Sequence, residues 1–151
     1  MTATSPEPMI GCTVAITASS PATEDQAGYE ALTWTTITGI TEIPELSRNA
    51  NDNTLTLLAT GVTQHYNGAR GVNPFDLPYV YDASDAGQDL VRSNYNGAAE
   101  VSIRIDYTNS AVVEYVQAVL GNLRTSAATA DGYHGETINV RPISLATTVE
   151  D

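Results

Sequence analysis

The sequence contains no lysine and only six arginines, against 18 aspartates and glutamates, which gives a net charge of −12. DNA-binding proteins depend largely on clustered cations that displace phosphate counterions. The arginines here are scattered singly along the chain, so the sequence excludes strong binding of nucleic acid by a free monomer. Anionic membrane surfaces are unfavourable partners for the same reason. By itself, the acidity indicates no more than solubility.

Cysteine and long apolar runs are equally scarce. The single cysteine, Cys12, cannot form an internal disulfide, so nothing indicates an oxidising compartment. No run approaches the ~20 apolar residues of a membrane helix. The first residues, MTATSPEPMIGC, lack the basic residue and the apolar segment of a secretory signal. We therefore expect a soluble, cytoplasmically made protein folded as a single domain over residues 1–151.

Residues with catalytic or metal-binding potential form no known motif. His65 and His134 lack the spacing of a zinc site, and Cys12 lies on an apolar strand face, where a core role is more common than a Cys–His dyad. No nucleophile elbow or phosphate-binding loop is present. We predict no enzymatic activity, no cofactor and no metal. An acidic hydrolase with a carboxylate pair stays open as an alternative, although no pair stands out.

Alternating apolar and polar residues predict a mainly β fold. The clearest case is AEVSIRIDYT over residues 99–108, where every second side chain is apolar, as in a half-buried antiparallel strand. Asn67 and Gly68 form the strongest short turn motif. Six to eight strands indicate a β-sandwich or barrel. The other predicted strands are 10–18, 31–43 with a bend near Gly39, 55–60, 77–81, 112–123 and 137–146. The apolar residues of 112–123 also fit helical spacing, but the valines and the flanking turns favour a strand.

One segment, YDASDAGQDLVRSNYNG, has the features of a helix instead. Ser84 or Asp85 can be the N-cap, and Asp85 followed three residues later by Gln88 resembles a capping box. Gly97 supplies a left-handed stop. We predict one helix over about residues 85–95. Because capping explains the aspartates, and because the glycine-containing loop of a calcium site is absent, no metal role is assigned to them.

The order of these elements resembles the tail tube (major tail) proteins of long-tailed bacteriophages, of the non-contractile type, from about residue 11 to residue 149. Three pieces carry the resemblance. The first is PATEDQAGYEALTWTTITGITEIPEL, a long strand that ends in a polar loop. The second is HYNGARG, a turn between strands. The third is YDASDAGQDLVRSNYNG, an acidic-capped helix that leads into the strand AEVSIRIDY.

The resemblance implies a mainly β fold, a two-sheet β-sandwich or partial barrel with the helix flanking it on the outside. It implies assembly into stacked six-membered rings that form the conduit for genome ejection. It implies a structural virion protein of the tail, made in the host bacterial cytoplasm. The implied partners are other copies of the chain, the tape measure, tail tip and terminator proteins, and transiting DNA without specific binding; no membrane is implied. Six copies at −12 would carry −72, which would repel passing phosphates.

Two polar segments are candidates for ordering on assembly: a flexible arm over residues 1–10 and a polar loop over residues 44–54. Substitution of Leu46, or deletion of residues 45–54, is expected to block tube growth without unfolding the monomer. The residues proposed for contacts between copies are Ile10, Gly11, Glu45, Leu46, Arg48, Asn51 and Asp52.

The alternative function is a β-sandwich module that binds carbohydrate or a host surface through Trp34, Tyr79 and Tyr81. Such a module would respond to a ligand as a monomer and would form no polymer. Trp34 shares a strand face with Leu32, for which burial is the more common role.

Overall fold

A computed structural model describes residues 8, 10–127 and 129–150, so most of the predicted arm over residues 1–10 lies outside the described residues. The two helices are α1 (Gln26–Glu30) and α2 (Ala86–Gly97), and a short 3-10 turn covers Thr108–Ser110. The strands are β1 (Thr13–Thr17), β2 (Thr35–Ile37), β3 (Arg48–Thr56), β4 (Thr63–Val72), β5 (Phe75–Val80), β6 (Glu100–Tyr107), β7 (Val112–Thr125), β8 (Gly135–Pro142) and β9 (Thr147–Glu150).

Seven of the strands form one antiparallel sheet, in the order β2-β1-β6-β7-β8-β5, with β9 paired to the start of β7. Strands β3 and β4 form a separate two-stranded sheet. The predicted fold class, mainly β with two sheets and one main helix, is confirmed. The smaller sheet is a single hairpin, and the larger sheet is the part that curves into a partial barrel.

The large sheet closes because the chain that follows β2 also bonds to the opposite edge. The N–H of Val80 donates to the carbonyl of Gly39 at 2.8 Å, and the N–H of Thr41 donates to the carbonyl of Pro78 at 3.3 Å. Since β2 and β5 are the two ends of the strand order, these bonds join the edges. Closure also protects the edges from pairing with other chains at this point.

Gly39 explains why the long strand predicted over residues 31–43 is wrong. Its φ of +79° is a left-handed conformation that favours glycine, and a Cβ there would lie 2.9 Å from the carbonyl oxygen of Val80. The strand therefore ends at Ile37 and the chain turns before it reaches β5. The bend was predicted at the correct residue, but it divides the strand instead of bulging it.

Two apolar clusters hold the molecule together, and β7 contributes to both. Val116 and Ala118 lie in the main cluster, whereas Val113 and Tyr115 point to the other face and pack with Tyr29 of α1. A strand buried on both faces shows weak alternation, which is why residues 112–123 also fitted helical spacing. The prediction of a strand there is confirmed. The main cluster comprises Val14, Ile16, Ile37, Phe75, Leu77, Tyr79, Val91, Val101, Ile103, Ile105, Val116, Ala118, Ile138 and Val140.

Three predictions are wrong in the hairpin, and one of them is the strand predicted over residues 55–60, because β3 ends at Thr56. Most of the polar loop predicted over residues 44–54 belongs to β3, and the turn predicted at Asn67-Gly68 lies inside β4. The true turn spans residues 57–62, where the N–H of Gly61 donates to the carbonyl of Leu57 at 2.8 Å. Because asparagine is depleted in strands, residue propensity does not predict a strand here. The segment is a strand because it pairs with β4.

Helix α2 begins as its aspartates indicate, at Asp85. One oxygen of that carboxylate accepts the N–H of Gln88 at 3.0 Å and the N–H of Thr38 at 3.2 Å. The predicted stop at Gly97 is one residue early, because the left-handed residue is Ala98, with φ of 52°. Ser84 is not the cap; its hydroxyl donates to the Asp82 carboxylate at 2.7 Å.

Gln88 does not close a capping box. Its side chain is fully buried, and its amide nitrogen donates to the carbonyls of Thr38 and Val80, each at 2.9 Å. Its amide oxygen accepts the N–H of Asp82 at 2.8 Å and a guanidinium N–H of Arg92 at 2.9 Å. The side chain therefore ties α2 to both segments that close the barrel. A short helix, α1, capped by Asp25, also lies between the strands predicted over residues 10–18 and 31–43, where no helix was predicted.

Candidate assembly surface

The hairpin of β3 and β4 is the most exposed element among the described residues. Between Asn49 and Arg70, side chains on both of its faces are exposed or half-buried. Its nine-residue first strand spans about 30 Å at ~3.3 Å per residue. A two-stranded sheet without a covered face is marginally stable in water. Over the described part of the chain, the hairpin therefore lacks the packing partner that such an element needs for stability.

The tip of the hairpin is apolar and uncharged. Leu58 is fully exposed, and Leu55 and Val62 are each 53% exposed. From Thr54 to Thr63 the sequence TLTLLATGVT contains no charged residue. In a chain with a net charge of −12, a charge-free apolar tip is a candidate contact region.

At its base, the hairpin is attached by Arg48. Its guanidinium donates to the Glu114 carboxylate at 2.6 Å and to the hydroxyl of Thr148 at 3.0 Å. Arg48 is thus a structural anchor whose charge is used within the subunit. Leu46, expected to be a contact between copies, packs against the main core. Its substitution should destabilise the fold, which contradicts the expectation that the monomer stays intact.

The other predicted contact residues lie on exposed parts of the surface. Asn51 and Asp52 sit on β3 at an irregularity in its pairing, and the Asp52 carboxylate lies 3.0 Å from Nδ1 of His65 across the hairpin. Ile10 is 81% exposed, and Gly11 adopts a φ of +94°. The structure places these two residues beside the 3-10 turn and not beside the hairpin, since the Thr108 hydroxyl donates to the Gly11 carbonyl at 3.2 Å.

A groove follows one face of the hairpin base. Residues paired directly across two strands share a face, which places Arg48 with Val72 and Ala50 with Arg70. This face and the loop that precedes β9 enclose two adjoining cavities of about 350 and 320 Å³. We call this surface the arginine groove; it is lined by Arg48, Ala50, Arg70, Val72, Ile143 and Leu145.

A second groove lies against the opposite face of the hairpin base, towards which Ser47 and Asn73 point. The Asn73 amide donates to the Ser47 hydroxyl at 3.2 Å. The cavity there has a volume of about 450 Å³. We call this surface the acidic groove; it is lined by the carboxylates of Glu42, Glu45 and Asp76 and by Ser47, Asn73 and the prolines at 44, 74 and 78.

The aromatic residues of the alternative binding module form no exposed platform. Tyr79 is 1% exposed, and its hydroxyl donates to the Glu136 carboxylate at 3.0 Å. Burial, followed by the Glu136 contact, raises the pKa of Tyr79 well above its usual range. Trp34 packs on Tyr115 in the second cluster, as its expected core role requires. Tyr81 lies between the ring of His134 and the guanidinium of Arg92.

Within the described ranges, no three His, Cys, Asp or Glu side chains come close enough together to hold a metal ion. Over the same residues, none of the helices has the length and apolar character to cross a bilayer. The carboxylate that sequence analysis missed is Glu136, which accepts a bond from Arg92 at 3.1 Å and is nearly buried. Its place in β8 carried no motif that could have revealed this pairing.

No protein-family model matches the sequence, and no curated protein matches it significantly. Several solved structures match the fold. A chain of the six-fold symmetrised anti-feeding prophage baseplate has a TM-score of 0.68 at 11% identity, covering 98% of both chains. A chain of the sheath–tube complex of an extracellular contractile injection system has a TM-score of 0.64 at 10% identity, covering 97% of this chain and 93% of that one.

The SPP1 tail tube protein is similar in the same way, with a TM-score of 0.63 at 12% identity over 95% of this chain and 81% of that one. Identities this low establish a shared fold and no more. The match to a contractile system leaves the expected restriction to non-contractile tails without support. The chain therefore has the fold found in tail tube and contractile injection assemblies.

Proposed function

We propose that this protein is a structural tube subunit that assembles into stacked hexameric rings. The observation that carries the proposal is the likeness of almost the entire chain to a tail tube protein and to a subunit from a six-fold symmetrised baseplate. The exposed hairpin adds support, because most of its two faces and its apolar tip lack a partner among the residues that the structure describes.

The proposed tube is part of a virion tail, or of a related particle, assembled after synthesis in the bacterial cytoplasm. Its partners are further copies of the chain, together with the proteins that set tube length, begin the tube and close it. Transiting DNA would meet an acidic, lysine-free subunit and would therefore be conducted without being held. The role is structural and needs no catalytic residue.

Negative-stain electron microscopy of the purified protein at high concentration tests the proposal. We expect rings, or hollow tubes with six-fold end views. Sedimentation velocity over a range of concentrations gives the matching measurement in solution. A protein that remains monomeric in both experiments and responds to a glycan screen would overturn the tube function in favour of a binding module.

A further inference from the structure

We propose that the arginine groove of one copy binds the acidic groove of the next copy through Arg70 and the carboxylates of Glu42 and Glu45. This contact rests on the proposed tube function and names the surfaces that join its subunits. It would place a cation of one chain against an acidic patch of its neighbour all the way round a ring.

Arg70 differs from the other five arginines because its side chain has no polar or aromatic partner among the described residues. Arg48, Arg92 and Arg124 each form an ion pair with a carboxylate of the same chain. Arg141 donates to the amide of Asn139 at 3.0 Å, and Arg104 lies over the ring of Trp34. Among the described residues, the Arg70 side chain has no ion pair, hydrogen bond or aromatic contact, although the chain carries three times as many acids as arginines.

The surroundings of Arg70 favour a contact over a free surface charge. Ile143 and Leu145 line the same groove and are 48% and 53% exposed. An arginine beside half-exposed apolar side chains is typical of the centre of a protein interface, where closure removes water and strengthens a charge pair. The groove therefore requires a partner that brings a carboxylate.

The acidic groove supplies that partner on a second copy. Within the described part of the chain, Glu42 and Glu45 are exposed and pair with no arginine, and the surrounding prolines give the groove a stiff wall. The third carboxylate, Asp76, is already paired with Arg124 at 3.1 Å. Glu42 and Glu45 are thus free to meet a cation from outside the subunit.

The placement of the two grooves determines the kind of assembly. They lie against opposite faces of one hairpin base, so a subunit cannot use both on the same neighbour. Each copy would present its arginine groove to one neighbour and its acidic groove to the other. Such a contact is heterologous, and a heterologous contact closes into a ring when its rotation allows. It also places a cation at the point where two strongly acidic subunits meet, which offsets their repulsion.

A charge exchange tests the contact. In R70E, the new glutamate of the arginine groove repels Glu42 and Glu45 of the neighbouring copy. In the double variant E42R/E45R, the two new arginines of the acidic groove repel Arg70 of the neighbouring copy. We expect each variant alone to need an about tenfold or higher concentration for assembly in sedimentation velocity. An equimolar mixture should assemble like the wild type, because an alternating ring of six satisfies every contact. The control is R141E, which makes the same charge change outside both grooves and should assemble normally.

Three outcomes contradict the contact: R70E that assembles like the wild type, R141E that fails equally, or a mixture of folded variants that fails to assemble. Circular dichroism and thermal unfolding establish that each variant is folded. A separate measurement does not depend on tubes: copies carrying C12S/L145C are mixed with copies carrying C12S/E42C and oxidised. We expect a disulfide-linked dimer, and none when C12S/Y95C replaces C12S/L145C.

The cross-link separates the two proposals. Rings seen by microscopy without the cross-link would leave the tube function standing and overturn the contact. A cross-link without rings would keep the contact and overturn the tube function. The absence of both would overturn both.

Discussion

Two glycines of helix α2 illustrate how differently the same residue type is constrained. A Cβ on Gly87 would lie 2.3 Å from the carbonyl oxygen of Thr36 and 2.7 Å from the Cα of Ile37, both on the backbone of β2. A Cβ on Gly97 would meet nothing within 4 Å. The first glycine permits the helix to approach the sheet; the second is simply a weak helix former.

We therefore expect Gly87→Ala and Gly97→Ala to have opposite effects on stability. Gly87→Ala should lower the free energy of unfolding by about 2–4 kcal/mol, because the helix must move away from the sheet and lose packing. Gly97→Ala should change it by less than about 1 kcal/mol, or raise it. Urea unfolding followed by circular dichroism measures both. Equal losses in the two variants would contradict the close approach of α2 to the sheet.

The lowered pKa values of two aspartates predict how the free energy of unfolding depends on pH. The backbone N–H of Gly28 and the hydroxyl of Thr23 lower the pKa of Asp25 below its ordinary value of 3.8, and the Ser84 hydroxyl and N–H lower the pKa of Asp82. A lowered pKa in the folded state adds stability above the unfolded value. That stability is lost as pH falls through the folded pKa.

We expect the free energy of unfolding to decrease between about pH 5 and about pH 2, in part through these two groups. Asp25→Asn keeps an oxygen that can cap α1 but does not titrate. Its curve should consequently fall less steeply than that of the wild type. Parallel curves for Asp25→Asn and the wild type would refute a role for the Asp25 pKa.

At the level of the element, the hairpin marks the limit of what the sequence could predict. The strand β6 was predictable because its apolar residues alternate over eight residues. The strand β3 was not, because RNANDNTLT has no apolar alternation and its pairing is supplied by residues of β4. Alternation of apolar and polar residues indicates a strand that is buried on one face. A strand that is exposed on both faces has no such alternation.

The helix α2 likewise has one feature that depends on residues close in sequence and another that depends on residues far apart in sequence. Its start could be predicted because Asp85 bonds to the N–H of Gln88, three residues away. The role of Gln88 could not, because its partners Thr38 and Val80 belong to segments that only the closed sheet brings together. The arginine and acidic grooves could not be predicted as surfaces for that reason as well, although Arg48 and Glu45 were among the predicted contact residues. Their lining residues come from parts of the chain far apart in sequence.

The exposed tip of the hairpin leads to a prediction about assembly without a change in fold. Leu58→Ser removes an apolar side chain that touches no core, so the free energy of unfolding should change by less than about 0.5 kcal/mol. If the tip packs on a neighbouring copy, tube growth should nevertheless be lost or strongly reduced, as counted by electron microscopy. Tyr95→Ser alters an exposed apolar residue on α2 and serves as the control. Tubes of normal length from Leu58→Ser would exclude the tip from assembly.

At the scale of the whole molecule, the net negative charge opposes association of the subunits. Each subunit carries −12, so neighbouring subunits repel one another over a distance that salt shortens. We expect the concentration needed for assembly to fall as monovalent salt rises from about 0.02 M to about 0.3 M. Light scattering at matched protein concentration measures this effect. Weaker assembly in higher salt would mean that attraction between opposite charges outweighs the net repulsion.

The hairpin also has a consequence for proteolysis. Trypsin cleaves after lysine and arginine, and in a lysine-free chain the two arginines at the hairpin base, Arg48 and Arg70, bracket nearly all of it. A two-stranded sheet without a covered face opens at little cost, which admits a protease. A free subunit should thus lose its hairpin early in a limited digestion and keep the barrel. Subunits joined through the hairpin would resist, so the rate of cleavage would record how far assembly had gone.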